Sequence, residues 1–518
     1  MGISGGEAAY SDQVVPDYRG NPFIEALPPI WLAPQAVRNL TVSPDFHPGE
    51  RELDADYRIH CVRRLFRYFQ PLGTHLDIEQ RISIAIRQGY VTRNPTWPEH
   101  ARRLTYGYEA VQGKDINIYR NYPIKSTSNG FTIIGMSGVG KTTAVERILS
   151  LYPQCIEHSA YNDKPFFVRQ LVWLKIDCPY DGSLKGLCHG FFQAFDIALG
   201  TDYYRKMTAR NATVDALLPK MSQISMNHGL GLLVVDEIQH LSQAKSGGSE
   251  KMLNFFVTLV NTIGVPVVLI GTNKAKPILQ SEFRQARRGS GQGDLLWDRM
   301  KNDISWETML RAMWRYQWTR KYAELAAGLR DSIYDESQGI IDIAVKLFAM
   351  AQVKAIATGK EELTEKVIHE VAAEKLRLVK PMLDALRSGD RRKIAQFEDI
   401  RPIDIEDYIA ANMTTIDTSG VILRTPEPLE EQAVLKLLEM VIQSKVARTC
   451  VRKAIRQSNA AQPLSAVVKK AFKLALSMDT APSHGQEAQD GDLRSFAADE
   501  IYDSIKNAGV LADASDDL

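Results

Sequence analysis

Eight residues, Gly135-Met136-Ser137-Gly138-Val139-Gly140-Lys141-Thr142, constrain this chain more than any other feature. They fit G-x-x-x-x-G-K-[ST], follow the run Phe131-Thr-Ile-Ile134 and open an amphipathic stretch over about 141–151. Strand, tight loop and helix in that order are the context this motif requires. The glycines let backbone N–H groups turn inward on an anion, and the positive end of the following helix adds to the attraction. Lys141 is then expected to reach β- and γ-phosphates and Thr142 to set its hydroxyl on Mg²⁺, with 135–143, through Thr143, forming the cradle.

A second constraint lies roughly ninety residues on, where Leu232-Leu233-Val234-Val235 runs into Asp236-Glu237. A buried strand tolerates carboxylates only at its open end, where a metal ion or bound water meets them. Downstream of a phosphate loop, Asp236 is expected to hold Mg²⁺ through water and Glu237 to polarise the attacking water. Together the motifs predict an enzyme that binds ATP with Mg²⁺ and hydrolyses it to ADP and phosphate.

Between Phe131 and Gly271, apolar β-rich runs alternate with helical stretches. This is the α/β pattern of a parallel sheet covered by helices. Strands are expected at 131–134, 171–176, 231–235 and 265–270, and helices at about 141–151, 183–200, 212–228 and 249–263. The fourth strand should lie between those carrying the two motifs. It ends in Gly271-Thr272-Asn273, so Thr272 or Asn273 is a candidate partner for the γ-phosphate or its water, with a polar turn as the plain alternative. Arg284, Arg287, Arg288 and Arg299 follow. An arginine presented across a subunit boundary would offset transition-state charge, and Arg287 or Arg288 is the candidate for it.

At 518 residues the chain exceeds a single core. Residues 1–50, rich in Pro and Gly, read as an extended arm and 51–125 as a helical segment. The α/β nucleotide-binding core follows at 126–300. A helical lid at 301–395 has helices expected at 309–327, 339–358, 364–379 and 381–387. A partly flexible, helical C-terminal extension at 396–518 has helical patches near 427–457 and 464–478. Lys plus Arg total 63 against 62 for Asp plus Glu, a formal charge of +1, so there is no global pull toward nucleic acid. No run approaches the ~20 apolar residues of a membrane helix, and the first residues lack the blocks of a secretory signal. A cytoplasmic protein without a membrane partner is expected. Five cysteines (Cys61, Cys155, Cys178, Cys188, Cys450) lack metal-site spacing and are expected to be buried free thiols.

With both motifs placed, further segments resemble a known family, the AAA+ transposition regulators of the TnsC and TniB type. The segments are Asn21-Pro-Phe-Ile-Glu-Ala-Leu-Pro-Pro29, Phe69-Gln-Pro-Leu-Gly-Thr-His75, Ser137-Gly-Val-Gly-Lys-Thr-Thr143, Ile176-Asp-Cys178 with Gly182-Ser-Leu-Lys185, and Asp236-Glu-Ile-Gln-His-Leu-Ser242. To these are added Ser246-Gly-Gly-Ser249 with Met252-Leu-Asn-Phe-Phe256, Ile270-Gly-Thr272 and Ser337-Gln-Gly339. The likeness runs from about residue 15 to 390 and is most similar to TnsC of Tn-seven-like transposons. It implies an AAA+ ATPase that assembles as a homo-oligomer, ring or filament, on double-stranded DNA. Such a protein links a target selector of the TnsD or TniQ type to the TnsA and TnsB transposase.

One stretch departs from many AAA+ relatives. Where they carry G-x-x-R in the lid, this chain has Gly339-Ile340-Ile341-Asp342, and Lys346 one turn later is a possible substitute sensor. Two loops, 179–185 and 243–249, carry the hydroxyl, glycine and lysine groups that phosphate contacts use. Lys185 and Lys245 are the candidate DNA contacts. His240, beside the carboxylates, is expected to be structural. The basic stretch Lys445 to Lys473 reads as a solvated helix face, or by resemblance as a dock for transposase. Competing readings are an AAA+ replication initiator or helicase loader, a small-molecule kinase, and a binding module holding ATP as a structural ligand. Glu237 beside Asp236 speaks against the kinase, because it suits activation of water.

Overall fold

A computed structural model describes residues 5–113, 130–208, 212–243, 254, 256, 257, 260, 264–279, 293–396, 433, 437, 444–456 and 464–478. The chain divides into two compact units, Met1–Ile416 and Asp417–Leu518.

Strands among the described residues are β1 (Gly6–Glu7), β2 (Phe131–Gly135), β3 (Cys155–Tyr161), β4 (Lys164–Leu171), β5 (Trp173–Asp177), β6 (Leu232–Asp236), β7 (Val267–Gly271) and β8 (Asp294–Trp297). Five form one sheet in the order β5-β6-β7-β2-β8, and every pairing in it is parallel. β2, β6 and β7 are buried along their whole length, which is why their sequences are apolar throughout instead of alternating. Successive side chains still face opposite ways. Ile133, Val234, Val268 and Ile270 join a core shared with the N-terminal and lid helices. Ile134, Leu233, Val235, Val267 and Leu269 join a second core under the helices Leu184–Leu199 and Val214–Asn227.

Local chemistry starts and stops these helices. Ser183 and Thr213 accept N-cap hydrogen bonds from Gly186 and Ala216, and Gly200, with φ 64°, closes the first of them. The helix after the phosphate loop spans Lys141–Leu149. The expected helix at 249–263 falls largely outside the described residues.

Four expectations need correction. β3 and β4 form an antiparallel hairpin joined through Asn162 and Asp163, both at positive φ, with β1 added as a parallel strand. The sequence reading missed this hairpin because its strands are half exposed and mix polar with apolar residues. The run expected as one strand at 171–176 changes sheets within itself: Leu171 ends β4 and Trp173 begins β5. Residues 5–53 are not a free arm. They fold into short helical turns, with Phe23 and Ile24 buried and Asn21 accepting from the Phe23 N–H while donating to the Tyr90 carbonyl. The helix expected at 309–327 is two helices, Ile304–Trp314 and Ala327–Ser337. Between them the buried Gln317 amide bonds the Trp314 carbonyl and both polar groups of Ala323, and the Trp314 indole donates to the same Ala323 carbonyl. Side chains thus satisfy backbone groups that a helix would have paired.

The remaining lid helices are Ile341–Ala357, Glu365–Lys375 and Lys380–Ser388, close to expectation. All five cysteines are buried and free. In the second unit, helices Ser444–Arg456 and Leu464–Met478 pack through Val451, Ala454, Val468, Ala471 and Phe472. Among the described residues, no helix is long and apolar enough to cross a membrane.

Candidate functional site

The tips of β2, β7 and β6 stand side by side, so the loop after β2, the Thr272 turn and the Asp236-Glu237 pair meet at one edge of the sheet. Gly138 and Gly140 hold φ of 80° and 97°, which L side chains rarely adopt, and Gly140 caps the Lys141–Leu149 helix. Gly135 is required for another reason: a Cβ there would lie 2.0 Å from the Trp297 carbonyl oxygen on β8. Lys141 is buried, its ammonium donating to the Gly135 and Met136 carbonyls at 2.9 and 2.6 Å.

Thr142 Oγ1 donates to Asp236 Oδ2 at 2.8 Å, and the other Asp236 oxygen accepts the Glu237 N–H at 2.8 Å. Glu237 has φ 55°, a conformation stored as strain in a non-glycine residue, and it turns the chain off the strand so that its carboxylate lines the cavity. Gln239 bridges two expected players: its amide N–H donates to Glu237 Oε2 and its carbonyl accepts the Thr272 N–H at 3.1 Å. Thr272 is buried and its hydroxyl has no partner among the described residues. Lys175, on β5, reaches Asp236 Oδ2 at 3.5 Å, Glu146 at 2.9 Å and Asp177 at 3.5 Å. Burial works against its charge, but the Glu146 hydrogen bond and the charges of Asp236 and Asp177 outweigh this and raise its pKa.

Lys141, Thr142, Asp236, Glu237, Gln239 and Thr272 line a cavity of about 410 Å³ bounded also by Ser137, Gly138, Gly140, Thr143, His240, Gly271 and Asp342, with Lys175 behind Asp236 and not on the cavity wall. A second, more apolar cavity of about 360 Å³ shares Gly138, Gly140, Thr143 and Asp342 with it and extends between Leu65–His75 and the lid residues Met309, Ile341 and Val345. A polar chamber joined to an apolar one across a glycine loop has the dimensions and chemistry for a phosphate chain and an attached base. The oxygen pair Thr142–Asp236 is a donor set suited to the hard cation Mg²⁺.

Sequence reading did not find Gln239, Lys175 or His75 as site residues. His75 lines the apolar cavity, accepts the Leu72 N–H on Nδ1 at 2.8 Å, and is pushed by burial down to about 4. Its ring is therefore neutral at pH 7, with the proton on Nε2. An unfolded histidine near 6.5 takes a proton that the folded one refuses, so stability is expected to fall as pH drops from about 6.5 to about 4. The share due to His75 approaches about 3 kcal/mol. Denaturant titrations of wild type and His75→Gln across that range measure it as the part of the acid-side slope that the variant loses.

Of the other expected residues, Asn273 is not among those lining the cavity. Lys346 pairs with Asp342 at 2.8 Å and lines the apolar chamber, not the phosphate one, while the Asp342 N–H donates to the Gly138 carbonyl at 3.2 Å. His240 Nδ1 donates to the Cys178 carbonyl at 3.2 Å, a structural contact at the cavity wall. Arg299 is committed to the lid, donating to the Gln338 and Leu386 carbonyls. Lys185 lies in the first turn of Leu184–Leu199. Arg284, Arg287, Arg288 and Lys245 lie outside the described residues.

Residues 124–279 match the family described as AAA domain. Comparison with curated proteins finds no match. Among solved structures, the Orc1 protein of Aeropyrum pernix, in complex with DNA, aligns at 12% identity over 79% of this chain and 83% of its own, with a TM-score of 0.33. The ORC2 protein of the same organism, in ADPNP–ADP complexes, aligns at 15% identity over 64% of this chain and 87% of its own, with a TM-score of 0.34. Cdc6p from Pyrobaculum aerophilum aligns at 13% identity over 80% and 88%, with a TM-score of 0.32. Likenesses this distant bear on neither activity nor partner. The AAA domain match, together with the strand order and the glycine loop at the tip of β2, gives this chain an AAA+ P-loop fold, a parallel sheet flanked by helices and followed by a helical region.

Proposed function

We propose that this protein is a magnesium-dependent ATPase that assembles on double-stranded DNA and regulates DNA transposition. The observation that carries the ATPase reading is the 2.8 Å contact between Thr142 Oγ1 and Asp236 Oδ2, with Lys141 and Glu237 on the same cavity. Thr142 and Asp236 would hold the magnesium ion, which when bound neutralises charge on the phosphate chain. Lys141 would leave its two loop carbonyls for the β- and γ-phosphates. Thr272, whose buried hydroxyl lacks a partner among the described residues, would donate to or accept from the γ-phosphate region, and Glu237 would take the proton of the attacking water. The base and ribose would occupy the apolar chamber against His75 and the lid.

The DNA and transposition part of the reading is supported by the sequence resemblance over about 15–390, whose segments include the buried Asn21–Leu27 turn, the Phe69–His75 wall of the apolar chamber and the run from Asp236. Partners on this reading are a second copy of the chain, a TnsD/TniQ-type selector and a TnsA/TnsB-type transposase. A helicase loader or replication initiator with the same ATPase core is the competing assignment. The purified protein is expected to form oligomers on duplex DNA only with ATP or a slowly hydrolysed analogue, and to retain transposase but not helicase in a pull-down. Replacing Lys185 and Lys245 with Glu is expected to weaken DNA binding at least tenfold and to flatten its salt dependence. Helicase retention, or DNA binding indifferent to nucleotide, would defeat the transposition reading.

A further inference from the structure

We propose that Lys175 is a built-in counter-ion of Asp236 that a magnesium ion must displace, and so sets the magnesium concentration at which the site loads nucleotide. This inference rests on the reading that the cleft binds ATP with magnesium.

Asp236 is only 3% exposed. A carboxylate removed from water to that degree needs a positive partner or several hydrogen bonds. Oδ1 has the Glu237 N–H, while Oδ2 has the Thr142 hydroxyl at 2.8 Å and the Lys175 ammonium at 3.5 Å. Oδ2 is thus the atom on which hydroxyl and ammonium converge, and the Thr142–Asp236 pair is where the cation would sit. Lys175 arrives there because β5 pairs with β6 in a register that sets Lys175 beside Val234 and Asp177 beside Asp236.

Two other carboxylates hold the same ammonium. Glu146, one turn beyond Thr142 on the Lys141–Leu149 helix, lies at 2.9 Å, and Asp177 lies at 3.5 Å. Both are mostly exposed, whereas Lys175 is 18% exposed. A divalent ion at Thr142 and Asp236 repels a neighbouring ammonium strongly in so dry a setting. Lys175 then shifts its weight to Glu146 and Asp177, which are already in contact. Removing the lysine charge removes the competitor, whereas removing the Glu146 charge takes away the closer of the two retreats, leaves only Asp177, and biases the ammonium toward Asp236. The two changes act in opposite directions, which a merely structural role for Lys175 does not produce.

The test is an equilibrium titration of the full chain with magnesium at a fixed concentration of a fluorescent ATP analogue, repeated with manganese and read by its paramagnetic signal as a direct count of bound ion. For Lys175→Met the half-saturating metal concentration is expected to fall roughly tenfold, for Glu146→Gln to rise roughly threefold, and for Lys175→Arg to stay near wild type. Glu146→Gln keeps the test decisive if Lys175→Met fails to fold, because Glu146 is largely exposed. A midpoint that is unchanged or raised in Lys175→Met, or unchanged or lowered in Glu146→Gln, overturns the inference while leaving the ATP reading in place. Failure of the wild type to bind the analogue at any metal concentration overturns the ATP reading and this inference with it.

Discussion

Replacing Glu237 with Gln is expected to lower ATP turnover by roughly 10²–10⁴-fold, the usual contribution of a positioned general base, while ATP binding stays within about threefold of wild type. The substitution is close to isosteric. The amide oxygen can still accept the Gln239 N–H that Glu237 Oε2 accepts, so the turn at φ 55° and the Gln239 link to Thr272 need not move. Only basicity is lost, together with one negative charge facing the phosphates, and losing that charge favours binding. Single-turnover hydrolysis measured beside nucleotide binding separates the two quantities. Turnover at the wild-type rate would remove Glu237 as the base; loss of binding and turnover together would make it a structural residue.

The parts of the cavity readable in the sequence are those made by one short segment at a time. Lys141 and Thr142 follow from a strand, a glycine loop and a helix written consecutively, and Asp236 with Glu237 follows from an apolar strand that ends in acids. Residues that act across strands left no such mark. Gln239 matters because β7 lies beside β6 and brings the Thr272 N–H within reach of its carbonyl. Lys175 matters because of the β5–β6 register. His75 matters because the helix Gly73–Val91 that carries it packs on the core shared with the lid helices, before the sheet begins. Each depends on contacts between segments far apart in the chain, which periodicity does not encode.

The same division explains the fold. Long apolar runs buried on both faces stand out, so β2, β6 and β7 were legible. The run 171–176 is apolar except for Lys175, and nothing in it marks Leu171 as the end of one sheet and Trp173 as the start of another. The lid helix Ile341–Ala357 is strongly periodic and was legible, whereas the break after Trp314 depends on Gln317 finding Ala323 six residues away. The N-terminal residues looked like an arm because Pro and Gly punctuate them; their burial comes from Phe23 and Ile24 meeting Tyr90 and the rest of the core.

Breaking the Arg58–Glu361 pair is expected to cost about 3 kcal/mol of stability, near the lower end for buried pairs, because Glu361 keeps 16% of its side chain exposed while Arg58 keeps 1%. Arg58 forks onto both Glu361 oxygens at 2.6 Å and also donates to the Leu53 and Trp318 carbonyls. It thereby ties the helix Ala55–Val62 to the loop between two lid helices. Glu361, with φ 57°, also accepts the Arg320 N–H. Burial pushes the Glu361 carboxyl up, but the bonds from Arg58 and Arg320 outweigh that and hold its pKa below the usual value. The contribution is therefore complete at neutral pH and lost only as acid takes the pH down through that lowered value. Glu361→Gln leaves the guanidinium buried without its counter-charge and should show the full loss in the first unfolding transition. Arg58→Met combined with Glu361→Gln removes the stranded charge and should recover part of it. Because Arg58 sits on the helix that runs directly into the Leu65–His75 wall and Glu361 follows the lid helix Ile341–Ala357, whose Ile341 and Val345 line the same chamber, Glu361→Gln should also weaken ATP binding severalfold with turnover of the bound nucleotide unchanged. Stability and ATP affinity equal to wild type in Glu361→Gln would show that the N-terminal helix and the lid are held together by apolar packing alone.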